Sequence, residues 1–243
     1  MKEIMLYHGS ENIVDKPIFN SPFANNENDY GSAFYCTNDK ELAKEWSCRR
    51  GYVGFVNTYK FDIDGLKILN FTDKSKYSFL NWIAVLLHHK KAKEYIENMY
   101  QEELNFVKSY YIDINCFDVI IGYRADDAYF KFPMMFVEGY LSYKDMEKLY
   151  LNGGLGIQIA LKSKESFNRI KFIRYEETDE KYIMKFKKRL QKANQIYYEI
   201  EYKGRKSRKD KIRDLMKNDK RAWRRRYYKN IVSFIRLWYW TPI

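Results

Sequence analysis

The stretch Asp29-Tyr30-Gly31-Ser32-Ala33-Phe34-Tyr35-Cys36-Thr37-Asn38-Asp39-Lys40-Glu41-Leu42-Ala43-Lys44-Glu45-Trp46-Ser47 reads as a short strand over 33–36, a turn, and a helix. Thr37, Asn38 and Asp39 are N-cap residue types, whose side-chain oxygens accept from the free N–H groups of a first helical turn. Leu42, Ala43 and Trp46 follow at helical spacing and give that helix one apolar face. The arrangement aims Tyr35 and Trp46, eleven residues apart, toward one region. Two converging rings make either plain core or a slot for a flat ring.

Upstream, residues 2–8 form a strand that ends in His8-Gly9-Ser10. Tyr7-His8-Gly9-Ser10, then Gly31, Phe34, Tyr35 and Thr37, then the helical aromatic Trp46, resemble the NAD-binding core of ADP-ribosyltransferases. The branch is that of diphtheria toxin and the poly-ADP-ribose polymerases. Ile121-Gly122-Tyr123-Arg124-Ala125-Asp126-Asp127 and Leu161-Lys162-Ser163-Lys164 are similar to stretches in a group of bacterial proteins of that superfamily.

The resemblance implies an α+β fold, with an ADP-ribosyltransferase-like split and mainly antiparallel β-sheet around an NAD cleft. It implies that His8 hydrogen-bonds the adenosine ribose and that the Gly9 backbone binds the nicotinamide carboxamide. A Cβ at Gly9 would block that approach. Ser10 supports the same strand end. Tyr35 and Trp46 match the two ring-sandwiching aromatics; both are commonly tyrosine in the family, so Trp46 departs from it while keeping a π-face. The third family position, usually glutamate, falls on Gln158 in a strand over 156–160. A glutamine keeps a hydrogen bond but gives no negative charge and no general base, which argues for transfer of a single ADP-ribose rather than chain building. The catalytic set is then His8, Tyr35 and Gln158. Asp126 and Asp127 either add a carboxylate to the cleft or cap the helix that follows. NAD enters as substrate, and the resemblance calls for no metal.

The chain has 243 residues, 46% of them hydrophobic and 18% aromatic, with a net charge of +12. Residues 1–160 hold 18 Lys and Arg against 22 Asp and Glu; residues 161–243 hold 26 against 10. The resemblance, with the change to basic helical texture near residue 178, implies two regions: an ADP-ribosyltransferase-like catalytic domain over 1–177, with a helical insertion near 75–111, and a basic helical extension over 178–243. Arg221, Arg224, Arg225 and Arg226 beside Trp223, Tyr227 and Tyr228 suit phosphate contacts with base stacking. Solvated helix faces explain the same charge equally well. Three cysteines without metal-ligand spacing fit a reducing compartment. The longest apolar run is far shorter than the roughly 20 residues of a membrane span, so a cytoplasmic protein without a membrane partner is expected. His88-His89 do not share a helix face, and no dinucleotide-binding or phosphate-binding glycine loop occurs.

Between these landmarks, the sequence predicts a strand over 51–62, a turn at Asp64-Gly65, and a return strand over 66–71 completing a hairpin. Helices follow over 75–111, 126–139 and 142–150, strands over 117–122 and 170–175, and a basic helix over 180–201 broken at Lys203-Gly204-Arg205. The loop over 12–28 is expected to lie over the cleft. The expected activity is mono-ADP-ribosyl transfer from NAD to a macromolecule, nucleic acid or protein, with release of nicotinamide. A toxin of a toxin–antitoxin pair, with a small antitoxin protein as partner, or a phage-defence effector is the expected setting. Two other readings stand beside it: a catalytically inactive NAD- or ADP-ribose-binding module, and a nucleic-acid-binding protein acting through its basic C-terminal helices.

Overall fold

The structure, a computed structural model, describes residues 2–22, 25–90, 94–125, 129–152, 155–206 and 211–219. In chain order its elements are β1 (Glu3–Ser10), β2 (Phe34–Cys36), α1 (Lys40–Ser47), β3 (Phe55–Asp62), β4 (Ile68–Asn70), α2 (Phe79–His89), α3 (Glu94–Met99) and α4 (Gln101–Lys108). They continue as β5 (Val119–Tyr123), α5 (Lys131–Val137), α6 (Tyr143–Asn152), β6 (Ile157–Leu161), α7 (Lys164–Asn168), β7 (Ile170–Glu177), α8 (Lys181–Lys206) and α9 (Lys211–Asn218). The architecture is mixed α/β with two sheets. One is antiparallel, in the order β1-β3-β7; the other is mixed, in the order β2-β6-β5-β4, with only β4 and β5 parallel.

Strand alternation explains how the two sheets stack. Phe34 and Cys36 of β2, Val119 and Ile121 of β5, and Ile159 and Leu161 of β6 face Leu6, Tyr59, Phe61 and Ile170 of the antiparallel sheet. The intervening Tyr35, Ile120 and Ala160 face the helices instead. The mixed sheet is thus covered on both sides, as its run of contiguous Val119, Ile120 and Ile121 requires. On the helical side α2 is the centre of the larger core: Phe79, Leu80 and residues 82–87 are all buried, and Trp82 meets Phe79, Tyr123 and Tyr150 ring to ring.

The expected hairpin after β3 does not form. Gly65 does turn the chain, with φ of +73°, but both edges of β3 are already taken, by β1 on one side and β7 on the other. The following strand crosses to the other sheet and pairs in parallel with β5. The expected stop at Gly204 is also passed, since α8 runs through it to Lys206; one glycine costs a helix only about 1 kcal/mol. The helix expected over 126–139 is described from Lys131 to Val137, with Pro133 in its first turn, where no intrahelical N–H bond is lost.

The basic helices pack on the body. Arg189 of α8 holds Glu45 of α1 through Nε at 2.8 Å and Nη2 at 2.6 Å, and Tyr182 donates to Glu41 at 2.5 Å. On α9, Arg213 reaches buried Glu103 at 2.7 Å. No helix among the described residues is long and apolar enough to cross a membrane.

Candidate functional site

The site begins where two strands part. Tyr7 and Thr37 exchange backbone hydrogen bonds of 2.8 and 2.9 Å, the one bridge between β1 and the β2 end. β1 is paired with β3 along its whole length and β2 with β6, and past the bridge no further β1–β2 pairing forms among the described residues. Because backbone groups alternate sides along a strand, Gly9 turns its N–H and C=O to the same edge as Tyr7, where β2 has left. His8 crosses the gap: its Nδ1 lies 2.7 Å from the Tyr35 carbonyl, and its ring rests 4.5 Å from that of Phe34. The carbonyl only accepts, so Nδ1 carries the hydrogen and Nε2 is left as the acceptor.

Asp39 caps α1, accepting from Glu41 N–H at 2.9 Å and Leu42 N–H at 3.2 Å. The helix then lies directly on β1. A Cβ at Gly9 would come within 1.9 Å of the Ala43 carbonyl oxygen, and backbone cannot give way. The sequence-level reason for this glycine was access for a ligand; the contact that demands it is helix-on-strand packing. That packing sets Trp46, 6% exposed, beside the parting strands.

The result is a cleft of about 1300 Å³ lined by His8, Gly9, Tyr35, Trp46 and Gln158, among others. The loop expected to cover it contributes Val14, Lys16 and residues 17–21, and Phe186 and Leu190 of α8 close one side. Ser10 is not in the lining. Its Oγ donates to Asn12 O at 2.5 Å and accepts from Asn57 Nδ2 at 3.1 Å. Asn57, fully buried on β3, also accepts from Val14 N–H at 2.9 Å, so Ser10 and Asn57 root the loop.

Each aromatic of the expected slot is fixed, by different means. Tyr35 donates to the Gly31 carbonyl at 2.6 Å and accepts from Tyr30 N–H at 3.0 Å; burial keeps its phenol protonated far above the usual range. Trp46 carries the Arg124 guanidinium over its face, 4.3 Å from the centroid. Its indole Nε1–H is buried with no hydrogen-bond partner among the described residues. A buried donor left unmade is costly, and here it belongs to a cleft wall.

Gln158, 4% exposed, donates from Nε2 to Asp29 Oδ2 at 2.7 Å and to the Tyr123 carbonyl at 3.2 Å. With both amide hydrogens engaged, the carbonyl oxygen is what it can offer a ligand. Asp29 is the residue that sequence reasoning missed. It is buried, takes a further hydrogen bond from Ala125 N–H at 2.7 Å, and faces Lys90 Nζ at 3.2 Å. Burial raises its carboxyl pKa, against the pull of Lys90 and the hydrogen bonds. Lys162, also in the wall, donates to the Tyr30 carbonyl at 2.7 Å, and desolvation lowers its pKa. Burial likewise lowers His8 to about 4, with Arg49 adding to the effect against the Tyr35 hydrogen bond, so the imidazole is neutral at neutral pH. Lys16, Arg49, Arg50, Lys90, Arg124 and Lys162 outnumber Glu27 and Asp29 in the lining, which suits a ligand carrying phosphates.

Asp126, Asp127, Arg221, Arg224, Arg225 and Arg226 lie outside the described residues. Among the described residues no group of three or more His, Cys, Asp or Glu side chains is placed to hold a metal ion.

Compared with known families, the chain belongs to the one described as a protein of unknown function (DUF3990), whose model matches residues 4–172. The match runs from β1 into β7 and thus takes in both sheets and the cleft strands. Comparison with curated proteins and with solved structures finds no match.

Proposed function

We propose that this chain is an NAD-dependent mono-ADP-ribosyltransferase with a split-sheet ADP-ribosyltransferase fold. It moves one ADP-ribose from NAD to a macromolecule and releases nicotinamide. The observation that carries the reading is the parting of β1 and β2 after the Tyr7–Thr37 bridge, which opens one cleft onto His8, Gly9, Tyr35, Trp46 and Gln158. The free backbone edge of Gly9 suits a carboxamide, and the neutral His8 and the Gln158 carbonyl suit ribose hydroxyls. The cationic lining suits the pyrophosphate. In the reaction the bond from ribose C1′ to the nicotinamide nitrogen breaks, and its electron pair leaves on that nitrogen. An acceptor oxygen or nitrogen forms the new bond to C1′ and gives its proton to water. The transition state resembles an oxocarbenium ion, so holding the ring and stabilising charge on the sugar do most of the work.

The net charge of the C-terminal part makes nucleic acid the first acceptor to try, with protein as the other; a cytoplasmic toxin or phage-defence effector neutralised by a small antitoxin is the setting this reading favours. The test is nicotinamide release by the purified chain from NAD, alone and with RNA, DNA or cell extract, beside His8→Ala. Release that depends on one macromolecule and falls at least about 100-fold in the variant is expected. Release of equal size without acceptor makes the protein a hydrolase, and NAD binding with no release in any mixture ends the enzyme reading. Arg124 favours that last alternative, an inactive NAD-binding module, because its guanidinium already lies on the Trp46 face where a cationic ring would stack.

A further inference from the structure

We infer that Asp29 is the charge-bearing partner of Gln158, and that the two work as one unit at the ribose: the acceptor atom sits on Gln158 and the negative charge on Asp29. The inference rests on the ADP-ribosyl transfer reading above. Asp29 lies 6% exposed in the cleft wall. Its Oδ2 takes the Ala125 N–H and the Gln158 Nε2 hydrogen, both at 2.7 Å. An ionised carboxylate is acceptor-only, and so is the Tyr123 carbonyl at 3.2 Å from the same Nε2. Together they pin the nitrogen end of the amide. A flipped amide would press its oxygen against two acceptors, with no hydrogen between them, at the cost of two buried hydrogen bonds. Gln158 therefore presents only its oxygen to the cleft.

The surroundings of Asp29 are lopsided. Lys90 Nζ stands 3.2 Å from Oδ1 and also donates to the Ala125 carbonyl at 2.9 Å, while Gln158 is bonded to the other carboxylate oxygen. Asp29 is the negative member of this buried pair, and its Oδ2 lies against Gln158. In a site removed from water its field acts over several ångströms. As the C1′–nitrogen bond breaks, positive charge moves from the nicotinamide ring to C1′ and the ring oxygen of the ribose. A preorganised negative group favours that charge as it develops, without reorganisation at the moment of reaction. Asp29 is thus a positioning and charge-bearing residue acting through Gln158.

Gln158→Glu tests this directly. The change is nearly isosteric, but it sets a second carboxylate against Asp29 Oδ2 and the Tyr123 carbonyl. Two carboxylates at that separation repel, so the second ionises only at raised pH and the pair keeps a shared proton below it. The other titratable and charged groups facing the pair are Lys90, Tyr30, Tyr35, Arg124 and Lys162. Nicotinamide release by Gln158→Glu is expected to be at least about 10-fold below wild type at pH 8 and to recover toward pH 5.5, where a proton bridges the two groups; wild type should not recover in this way. Asp29→Asn, which removes the charge at nearly constant shape, should lower kcat about 10- to 100-fold with KM for NAD changed less than about 3-fold. Equal or greater activity of Gln158→Glu at pH 8 with an unshifted profile, or wild-type kcat in Asp29→Asn, overturns the inference while the transferase reading stands. Absence of release from wild type overturns both. Should Asp29→Asn melt below the assay temperature, the pH profile of Gln158→Glu decides alone.

Discussion

Trp46 and Trp82 are both buried, and they live in opposite environments. Trp82, with no exposed surface, donates to the Tyr30 hydroxyl at 2.9 Å and the Tyr123 carbonyl at 3.2 Å and is walled by Phe79, Tyr123 and Tyr150. Trp46 has a cation on its face and no acceptor for its indole N–H among the described residues. One has partners for both its ring and its N–H; the other has a partner for its face alone among the described residues. On the transferase reading, the difference separates a residue placed for stability from one placed for contact, and burial alone does not reveal it.

The comparison predicts its largest effect at the core ring. Trp82→Ala should cost about 4 kcal/mol, the middle of the range for an aromatic deleted from a close-packed site. In a protein of ordinary marginal stability that removes much of the folded margin. Urea denaturation followed by circular dichroism measures it. A loss under about 2 kcal/mol would mean that the ring cluster around α2 collapses onto the hole, and that the core is looser than its contacts imply.

Replacement by phenylalanine sharpens the contrast, because it removes the N–H and part of the volume but keeps a ring. Trp82→Phe gives up two hydrogen bonds and some packing, about 2–3 kcal/mol. Trp46→Phe gives up no hydrogen bond and weakens one cation–π contact, about 1 kcal/mol. Binding should reverse the order. Trp46→Phe should weaken NAD at least about 5-fold in a calorimetric titration, on loss of one neutral hydrogen bond of about 1 kcal/mol, while Trp82→Phe should leave it within about 2-fold. Equal stability losses with equal affinities would erase the distinction.

How much of this was legible in the chain follows from the reach of each interaction. The cap at Asp39 and the apolar face of α1 are local, and both hold as read. The β5 strand announces itself by contiguous branched residues. The fate of the strand after Gly65 was not legible, since it turned on whether the edges of β3 were free, and the strand that fills one of them starts at Ile170, more than a hundred residues on. Asp29 was hidden for the same reason. It heads the stretch that organises the chain, yet its partners lie 96 and 129 residues away at Ala125 and Gln158. Gln158 by itself reads as a lost charge; only the fold returns a carboxylate beside it. Gly9 was legible as an obligatory glycine, but its neighbour was not, because the sequence pointed to a ligand where α1 stands.

A further prediction repeats the contrast at two imidazoles, with the sides exchanged. In the cleft, His8 is bonded through Nδ1 to the Tyr35 carbonyl. At the end of α2, His89 has a buried Nε2 with no partner among the described residues. Burial lowers both to about 4, from an ordinary value of 6.5; the second influence on His89 is Lys162, and the third is His88. A folded-state pKa below the unfolded one means that the unfolded chain binds the extra proton first. Each site therefore leaves stability intact above about pH 6.5 and takes it away as pH falls through 4. Asp29 has the opposite sign, since its raised pKa favours the folded chain at low pH, so the whole-protein curve does not isolate either histidine. The difference between wild type and a variant does. Denaturation midpoints at pH 7 and pH 4.5 should draw closer in His89→Gln and in His8→Gln, by about 1–2 kcal/mol each after allowance for partial exposure. In His8→Gln a shorter amide replaces the Nδ1 bond to Tyr35, so that variant should also be less stable than wild type at pH 7, by about 1 kcal/mol. His89→Gln loses no Nε2 bond to the described residues and should match wild type there. A pH 7 cost at position 89 with none at position 8 would show that His89, and not His8, is the imidazole that holds the structure.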